Sequence, residues 1–308
     1  MAGPRDDEPT AQIVDIGHGG GIDVEVGDDA VWVSTKDGVL RVDPSTDRVV
    51  DEIPLEGAFD LDLGDGSLWV TNTYEGTLSR IDLVTERVTE PVDLGLVTPY
   101  CVDATANAVW VSGSGDDGGD VIRIEPATNE IVARIHIDPG EGTGGIGCIA
   151  ADDRSVWVTR GGKEDSLVRI DPQTNEVTAV VDIANPDYWN DIIVEEGVLW
   201  VATGPHVALD DGTTTGEVRL MRVNPDTNAV SEPLLIGNGL FGLGGGDGSL
   251  WVYAGDDLTQ VDPATDTIVR RIAIPDIGSS WGGDPGIDAG DGTVWMAGAR
   301  SLNRIDLS

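Results

Sequence analysis

Residues 60–88 read DLDLGDGSLWVTNTYEGTLSRIDLVTERV, and this segment contains the pattern that decides the fold. It holds four short stretches in which apolar residues alternate with polar ones, and the breaks between them are GDG, NTYEG and LVTE. Such alternation is typical of half-buried strands, and breaks rich in Gly, Asp, Asn and Thr are typical of tight turns. The segment therefore predicts four consecutive antiparallel strands, which we label a to d in chain order.

The centre of this segment recurs along the chain. Seven of the nine tryptophans lie in one motif, and successive copies are 37 to 51 residues apart, close to the length of one four-stranded blade. The seven copies are AVWVST at Trp32, SLWVTN at Trp69, AVWVSG at Trp110, SVWVTR at Trp157, VLWVAT at Trp200, SLWVYA at Trp251 and TVWMAG at Trp295. A second motif of the type RIDP follows each copy. The repeat predicts an all-β fold, a seven-bladed β-propeller of four-stranded antiparallel blades.

The first and last repeats predict how the ring is closed. The last repeat supplies strands a to c and stops before a strand d, whereas an unassigned strand, AQIVDIG, precedes the first repeat at residues 11–17. We expect this N-terminal strand to complete the last blade, which would cover a sheet edge. Residues 1–10 are then a flexible acidic tail and residues 11–308 one propeller domain. A closed ring without a free sheet edge favours a monomer.

The charge balance narrows the range of partners. The chain has 56 Asp and Glu against 18 Lys and Arg, a formal net charge of −38. Such a surface repels phosphate groups, which argues against nucleic acid and anionic membranes as partners. No apolar run approaches the roughly 20 residues that span a bilayer. The acidity fits either a surface adapted to high salt or a genome that prefers Arg to Lys, and both explanations stay open.

Two segments resemble known propeller repeats. LWVTNTYEGTLSRIDLVTERV (68–88) and VWVTRGGKEDSLVRIDPQTNEV (156–177) resemble YVTN-type repeats, and they are similar to the repeats of streptogramin (virginiamycin B) lyases and of the gluconolactonase superfamily. The resemblance covers residues 11–308 and implies the propeller fold. These groups include enzymes, cell-surface proteins and proteins without known activity, so the resemblance does not choose among functions. The start of the chain lacks the features of a signal peptide, which fits either an intracellular protein or one whose signal has been removed. Between these, we favour a secreted or cell-surface location over the cytoplasm.

The loops predict which face of the ring binds a ligand. The a–b and c–d turns are short and repetitive, whereas the b–c and d–a loops of the other face vary in length and content, as recognition loops do. Aromatic side chains beside a few cations suit a pocket for a small molecule, a sugar or a peptide. The predicted ligand-binding residues are Lys36, Tyr74, Tyr100, Arg160, Lys163, Tyr188, Trp189, Phe241 and Trp281. The alternative is that the aromatic residues only close the channel by packing.

Equivalent positions near the channel mouth predict a ring of side chains. Counting back nine residues from each motif tryptophan gives Asp23, Asp60, Cys101, Cys148, Asp191, Gly242 and Gly286. We name this set the upper ring. Its carboxylates, with Asn190, are candidate ligands of a hard cation, Ca²⁺ or Mg²⁺, or else they bond neighbouring backbone amides. The two cysteines share one register in adjacent blades, so we expect their side chains to point alike rather than at each other.

Three functions follow from these features. The first is a non-catalytic recognition propeller, since no nucleophile–base set, zinc spacing or nucleotide motif is present. The second is a metal-dependent lyase, which the resemblance to streptogramin lyases implies, although the corresponding inner-strand positions hold no histidine. The third is a calcium-dependent hydrolase of the lactonase kind. For an enzyme, the predicted base is His206 or His18, and Arg160 or Lys163 would stabilise an anion. We prefer the recognition propeller.

Overall fold

The computed structural model describes residues 9–17, 20–115, 118–138, 145–161, 165–183, 188–205, 216–274, 277, 285–298 and 301–307. Within these ranges the chain forms seven antiparallel sheets; six are built from strands consecutive in the sequence, and the seventh joins the last three strands to the N-terminal one. This confirms the predicted seven-bladed β-propeller. The described part of the chain contains no helix that could cross a membrane.

The strands follow the order that the repeat predicts. Blade 1 contains β2 (Val24–Val26), β3 (Val31–Thr35), β4 (Gly38–Asp43) and β5 (Arg48–Pro54); blade 2 contains β6 (Ala58–Gly64), β7 (Ser67–Asn72), β8 (Thr77–Asp82), β9 (Arg87–Val88) and β10 (Val92–Asp93). Blade 3 contains β11 (Thr98–Thr105), β12 (Ala108–Gly115), β13 (Gly118–Glu125) and β14 (Glu130–Ile137); blade 4 contains β15 (Ile146–Ala151), β16 (Val156–Arg160), β17 (Ser166–Asp171) and β18 (Glu176–Asp182). Blade 5 contains β19 (Tyr188–Glu195), β20 (Val198–Pro205), β21 (Glu217–Val223) and β22 (Leu234–Asn238); blade 6 contains β23 (Phe241–Gly246), β24 (Ser249–Ala254), β25 (Asp257–Asp262) and β26 (Thr267–Ala273). Blade 7 contains β27 (Gly286–Gly290), β28 (Thr293–Gly298), β29 (Ser301–Asp306) and β1 (Ala11–Val14).

The N-terminal strand closes the ring. β1 pairs antiparallel with β29, and Ala11 lies opposite Ile305 in that pairing. The strand is shorter than the predicted 11–17 because pairing stops at Val14. Beyond it Ile16 stays buried and packs with Trp295 and Val24, which lie in blades 7 and 1. β1 is therefore strand d of the last blade.

The hydrophobic core is divided into layers between the blades. The described buried residues form seven clusters, and each cluster contains one motif tryptophan packed against the following blade. Trp110 of blade 3, for example, packs with Ile149 and Val156 of blade 4. Each blade is thus stabilised by its neighbours, as the closed architecture requires.

Arginines of the second motif hold adjacent blades together. Arg169 lies over the Trp157 ring, 5.2 Å from its centroid. Its Nη1 donates to the Pro225 carbonyl at 2.7 Å and to Asn228 Oδ1 at 2.9 Å, both in the c–d turn of the next blade. Asn228 has a φ of 58°, in the left-handed region that asparagine tolerates. Equivalent arginine contacts to the next c–d turn occur at Arg80, Arg123 and Arg304.

Candidate functional site

The inner strands of blades 2, 3 and 4 begin with the same local irregularity. In β6, β11 and β15 the pairing with the second strand shifts register at residues 59–60, 100–101 and 147–148. A β-bulge of this kind bends the strand and re-aims its side chains. The second residue of each bulge belongs to the upper ring and the first lies directly before it. The bulges therefore determine which side chains meet at the channel mouth.

Buried hydroxyl groups stabilise these bulges. Thr71 Oγ1 accepts a hydrogen bond from the Asp60 N–H at 3.1 Å and donates to the Tyr100 carbonyl of the next blade at 2.9 Å. Ser34 and Ser112, each two residues after a motif tryptophan, make the same pair of bonds in blades 1 and 3. The hydroxyl thus links the inner strands of two consecutive blades, and the sequence signal for it is the Ser or Thr in the motif.

The carboxylates of the upper ring hydrogen-bond to backbone amides of the next blade. Asp23 Oδ2 accepts from the Leu61 N–H at 3.1 Å, and Asp60 Oδ2 accepts from the Val102 N–H at 2.6 Å. Asp191 Oδ2 accepts from the Leu243 N–H at 3.1 Å. Three of the seven blade junctions are therefore joined at this level by the same carboxylate–amide contact.

A second set of acidic residues lies two positions further along the inner strands, and the sequence interpretation missed it. We name it the lower ring; its acidic members are Glu25, Asp62, Asp103 and Asp288. Asp103 Oδ2 accepts from the Ala151 N–H at 2.9 Å, and Asp288 Oδ2 accepts from the Val26 N–H at 2.7 Å. The signal was present, because an acidic residue stands seven positions before four of the motif tryptophans. Alternation along a strand places both positions on one face.

Burial between the inner strands raises the pKa values of these carboxyl groups. Desolvation raises the pKa of Asp23 and of Asp191 to about 6, although their backbone hydrogen bonds act in the opposite direction. Desolvation also raises the pKa of Asp103 and of Asp288 to about 7. The pKa values of Glu25, Asp60 and Asp62 lie well above their usual range, first because of desolvation and then because of charge repulsion within the rings. The carboxyl groups of the two rings therefore keep their protons to higher pH than exposed carboxyl groups do.

Apolar and aromatic side chains surround the upper ring. The residues one position before it in blades 1 to 3 are Ile22, Phe59 and Tyr100, and all three are half-buried. At the equivalent position of blade 6, Phe241 is 1 % exposed and packs with Trp200 in the core between blades 5 and 6. Phe241 therefore belongs to the core, while Tyr100 lies at the mouth.

The other described residues predicted to bind a ligand each have separate local contacts. Tyr74 is 69 % exposed on the b–c loop of blade 2 and contacts Gly57. The Lys36 ammonium lies 3.8 Å from Asp37, and its side chain extends into solvent. Arg160 Nε donates to Ser166 Oγ at 2.9 Å, and its Nη1 donates to the Asp138 carbonyl at 3.3 Å. The structure does not bring these side chains together into one pocket.

Several predicted site residues lie outside the described residues. These are His18, Lys163, His206 and Trp281; for Tyr188 and Trp189 only the backbone, in β19, is described. Asn190, predicted to join the metal set, is buried, and its Nδ2 donates to Asp165 Oδ2 at 3.4 Å. Its side chain thus interacts with a residue that precedes β17.

The two cysteines are free thiols that approach each other more closely than their register suggested. Both are half-buried at the upper ring, and the Cys101 thiol shares a hydrogen bond with Cys148. The Cys148 thiol also hydrogen-bonds to the Asp191 carboxylate. The shared register did not by itself predict this contact, which arises because equivalent positions of consecutive inner strands lie close together in this ring.

Comparison with known proteins supports the fold and leaves the activity open. Similar solved structures include hydrazine synthase of Kuenenia stuttgartiensis, with a TM-score of 0.74 at 14 % identity, covering 93 % of this chain and 95 % of that one. They include a catalytically inactive virginiamycin B lyase of Staphylococcus aureus with quinupristin, with a TM-score of 0.72 at 15 % identity, covering 98 % and 100 %. They also include the Swd1 β-propeller domain of Myceliophteria thermophila, with a TM-score of 0.70 at 13 % identity, covering 97 % and 100 %. At these identities the likeness concerns the fold alone.

Sequence comparison adds no family assignment. No family model matches the chain, and no curated protein matches it. The resemblance to YVTN-type repeats therefore stays a prediction from the residues, whereas membership among seven-bladed propellers rests on the structural matches.

Proposed function

We propose that this protein is a recognition propeller that binds a small molecule, a sugar or a peptide at the face formed by its b–c and d–a loops. The observation that carries the proposal is the arrangement at the channel mouth. Ile22, Phe59 and Tyr100 keep part of their surface exposed there, and the carboxylates of the upper ring follow one residue further in. An apolar rim above a few polar groups is the usual composition of a ligand site.

The opposite face supports the proposal by contrast. Its c–d turns receive the arginine contacts between blades, so that Pro225 and Asn228, for example, are occupied by Arg169. The carbonyl and side-chain oxygens of these turns therefore accept hydrogen bonds that join adjacent blades at several places around the ring. The described parts of the b–c and d–a loops show no equivalent arginine contact around the ring, and the variation of these loops in length and content suits recognition of a partner.

The charge of the site favours a ligand that bears a positive charge. The chain has a net charge of −38, and Asp23, Asp60 and Asp191 lie beside the aromatic rim. Aromatic faces attract organic cations, with a gain of about 0.5–2 kcal/mol for each contact. A compact ammonium group at the rim would also reduce the repulsion among the carboxylates.

The test measures ligand-dependent thermal stability. The wild-type protein is melted with choline, with its neutral isostere 3,3-dimethylbutanol, with spermidine and with maltose, because a ligand that binds the native state raises Tm. We expect choline or spermidine to raise Tm and the neutral isostere to have no effect. The Tyr100→Ala variant should lose the shift, whereas Val84→Ala, which changes a side chain that is 90 % exposed on the opposite face, should keep it. A shift that persists in Tyr100→Ala would remove the mouth from the proposal.

A second candidate is a metal-dependent enzyme, a lyase or a lactonase-like hydrolase, and the fold likeness to virginiamycin B lyase favours it. Asp23, Asp60, Asp191 and Asn190 would then hold Ca²⁺ or Mg²⁺, which would polarise a carbonyl group. Each of these carboxylates already accepts a backbone hydrogen bond, and the described residues contain no preformed group of three metal-binding side chains. A cation would therefore have to share these oxygens with the amides.

The candidates are separated by removing metal. The protein is melted after exhaustive EDTA treatment and again with Ca²⁺ or Mg²⁺, in high NaCl so that screening stays constant. A rise in Tm that one cation produces at low concentration, and that Asp60→Asn abolishes, supports the enzyme. If every divalent cation raises Tm to the same extent, the carboxylates act only as solvated charge and do not form a specific metal site. With an active enzyme, an unsaturated product identifies a lyase and an added water identifies a hydrolase.

A further inference from the structure

Cys101 and Cys148 form a pair that neither candidate function uses. They occupy the same position of the upper ring in blades 3 and 4, and each lies at a β-bulge of its inner strand. Their thiols share a hydrogen bond, and both side chains are half-buried. We propose that Cys101 and Cys148 are a redox modification site, a dithiol that a small disulfide oxidises to an intramolecular disulfide across the junction of blades 3 and 4.

Fixed backbone contacts hold the two strands together on both sides of the pair. Ser112 Oγ donates to the Gly147 carbonyl at 2.6 Å, directly before Cys148. Asp103 Oδ2 accepts from the Ala151 N–H at 2.9 Å, two residues beyond Cys101 on its own strand. The thiols are therefore brought together by the architecture of the ring.

Equivalent positions of the upper ring in consecutive blades lie close together elsewhere as well. A Cβ added to Gly286 of blade 7 would lie 2.6 Å from the Asp23 Cα of blade 1. The closeness of Cys101 and Cys148 therefore follows from the packing of inner strands around the ring.

The reaction is an ordinary thiol–disulfide exchange with oxidised glutathione. One thiol loses its proton, and the thiolate attacks a glutathione sulfur to form a mixed disulfide, releasing one glutathione thiolate. The second cysteine loses its proton and attacks the protein sulfur of the mixed disulfide, which forms the Cys101–Cys148 bond and releases the second glutathione. The protein is oxidised by two electrons, and one oxidised glutathione becomes two reduced molecules that take up both protons.

Oxidation would alter the site beside it. The Cys148 thiol now hydrogen-bonds to the Asp191 carboxylate, and a disulfide sulfur has no proton to share. Asp191 would then keep its bonds from the backbone amides of Leu243 and Ile192. The redox state of the pair is thus connected to the polar surface of the upper ring.

The test uses the full chain, first reduced and then incubated with oxidised glutathione at mildly alkaline pH. The sample is quenched with acid, treated with N-ethylmaleimide under denaturing conditions and weighed by mass spectrometry. We expect both thiols to be protected without a glutathione adduct, a cross-linked peptide containing residues 101 and 148, and a rise in Tm of roughly 5 °C that reduction reverses.

Two single variants serve as matched controls. Cys101→Ser and Cys148→Ser should each give at most a glutathione adduct on the remaining cysteine and no reversible rise in Tm. Glutathione adducts on both cysteines of the wild type would show that the thiols cannot reach each other and would overturn the proposal. Two cysteines that remain open to N-ethylmaleimide after oxidation would overturn it as well.

Discussion

The Asp60 carboxylate accepts a hydrogen bond from the Val102 N–H at 2.6 Å, across the junction of blades 2 and 3. The same contact between equivalent positions joins Asp23 to Leu61. A carboxylate that looks like a metal ligand in the sequence therefore has a structural partner in every blade where the upper ring carries aspartate. Substitutions of Asp60 can separate the effect of the carboxylate charge from its role as a hydrogen-bond acceptor.

Replacing Asp60 should reveal this separation. Asp60→Ala leaves the Val102 N–H buried without its acceptor, and we expect a loss of about 1–3 kcal/mol in the free energy of unfolding. Asp60→Asn keeps an acceptor oxygen and removes a desolvated charge, so it should cost much less at neutral pH. Urea unfolding at pH 7 measures both. Equal losses in the two variants would mean that the charge matters more than the hydrogen bond.

The acidic rings predict that stability falls as pH rises through neutrality. Burial raises the pKa of Asp103 and of Asp288 to about 7, so the folded protein binds these protons more tightly than the unfolded chain does. Their contribution is fully present below the ordinary carboxyl pKa and is lost as pH rises through 7. We expect Tm to be higher at pH 5.5 than at pH 8.

A matched variant tests whether the lower ring is the source of this pH dependence. Asp103→Asn cannot titrate, so its decrease in Tm between pH 5.5 and pH 8 should be smaller than that of the wild type. Repulsion from Asp152 contributes to the raised pKa of Asp103, and the ring neighbours Glu25, Asp62 and Asp288 titrate in the same direction. An unchanged slope in Asp103→Asn would assign the effect to the rest of the acidic surface.

Arginines of one motif should differ in their importance for stability. Arg169→Ala removes the contact with Trp157 and two bonds to the turn of the next blade, and we expect a loss of about 2–3 kcal/mol. Arg222 occupies the same motif position in blade 5, yet its side chain is 46 % exposed and pairs with Asp266 at 3.1 Å. Arg222→Ala should therefore cost only about 0–1 kcal/mol. Urea unfolding measures both variants, and equal losses of unfolding free energy in Arg169→Ala and Arg222→Ala would contradict this distinction.

Residues of the closing segment should separate into those that stabilise the ring and those that do not. Ile16 is 4 % exposed and packs with Trp295, so Ile16→Ala should cost about 2–5 kcal/mol. Ile13 is 72 % exposed on β1, and Ile13→Ala should change stability by no more than about 0.5 kcal/mol. Chemical unfolding of the two variants measures the difference, and a small effect of Ile16→Ala would mean that closure contributes little.

The blade architecture was predictable because each repeat contains its own strands and turns. The motif tryptophans predicted the number of blades. The unassigned strand at residues 11–17 predicted that the N-terminal strand completes the last blade, and the pairing of β1 with β29 confirms this. Both inferences depend on local patterns and on the rule that sheet edges are covered.

The candidate site was predictable only in part, because it depends on distances between blades. Counting back from the tryptophans placed Asp23, Asp60 and Asp191 on one ring. Each carboxylate accepts its hydrogen bond from a backbone N–H of the next blade, and the pattern within one repeat does not show that contact. The contact between Cys101 and Cys148 was missed for the same reason. Phe241 was assigned to the loop face although its neighbour Gly204 leaves room for the ring to pack inside.

The pairing of β1 with β29 also sets the order in which the molecule can be finished. β1 leaves the ribosome before every other described strand, and its partner Ser301–Asp306 is the last described strand to be synthesised. Until then β1 has no sheet to join, and blades 1 and 7 each lack a neighbour. The ring of blades therefore stays open until almost the whole chain has been synthesised. A nascent chain stopped before Ser301 would expose the uncovered faces of blades 1 and 7 to chaperones and to other nascent chains.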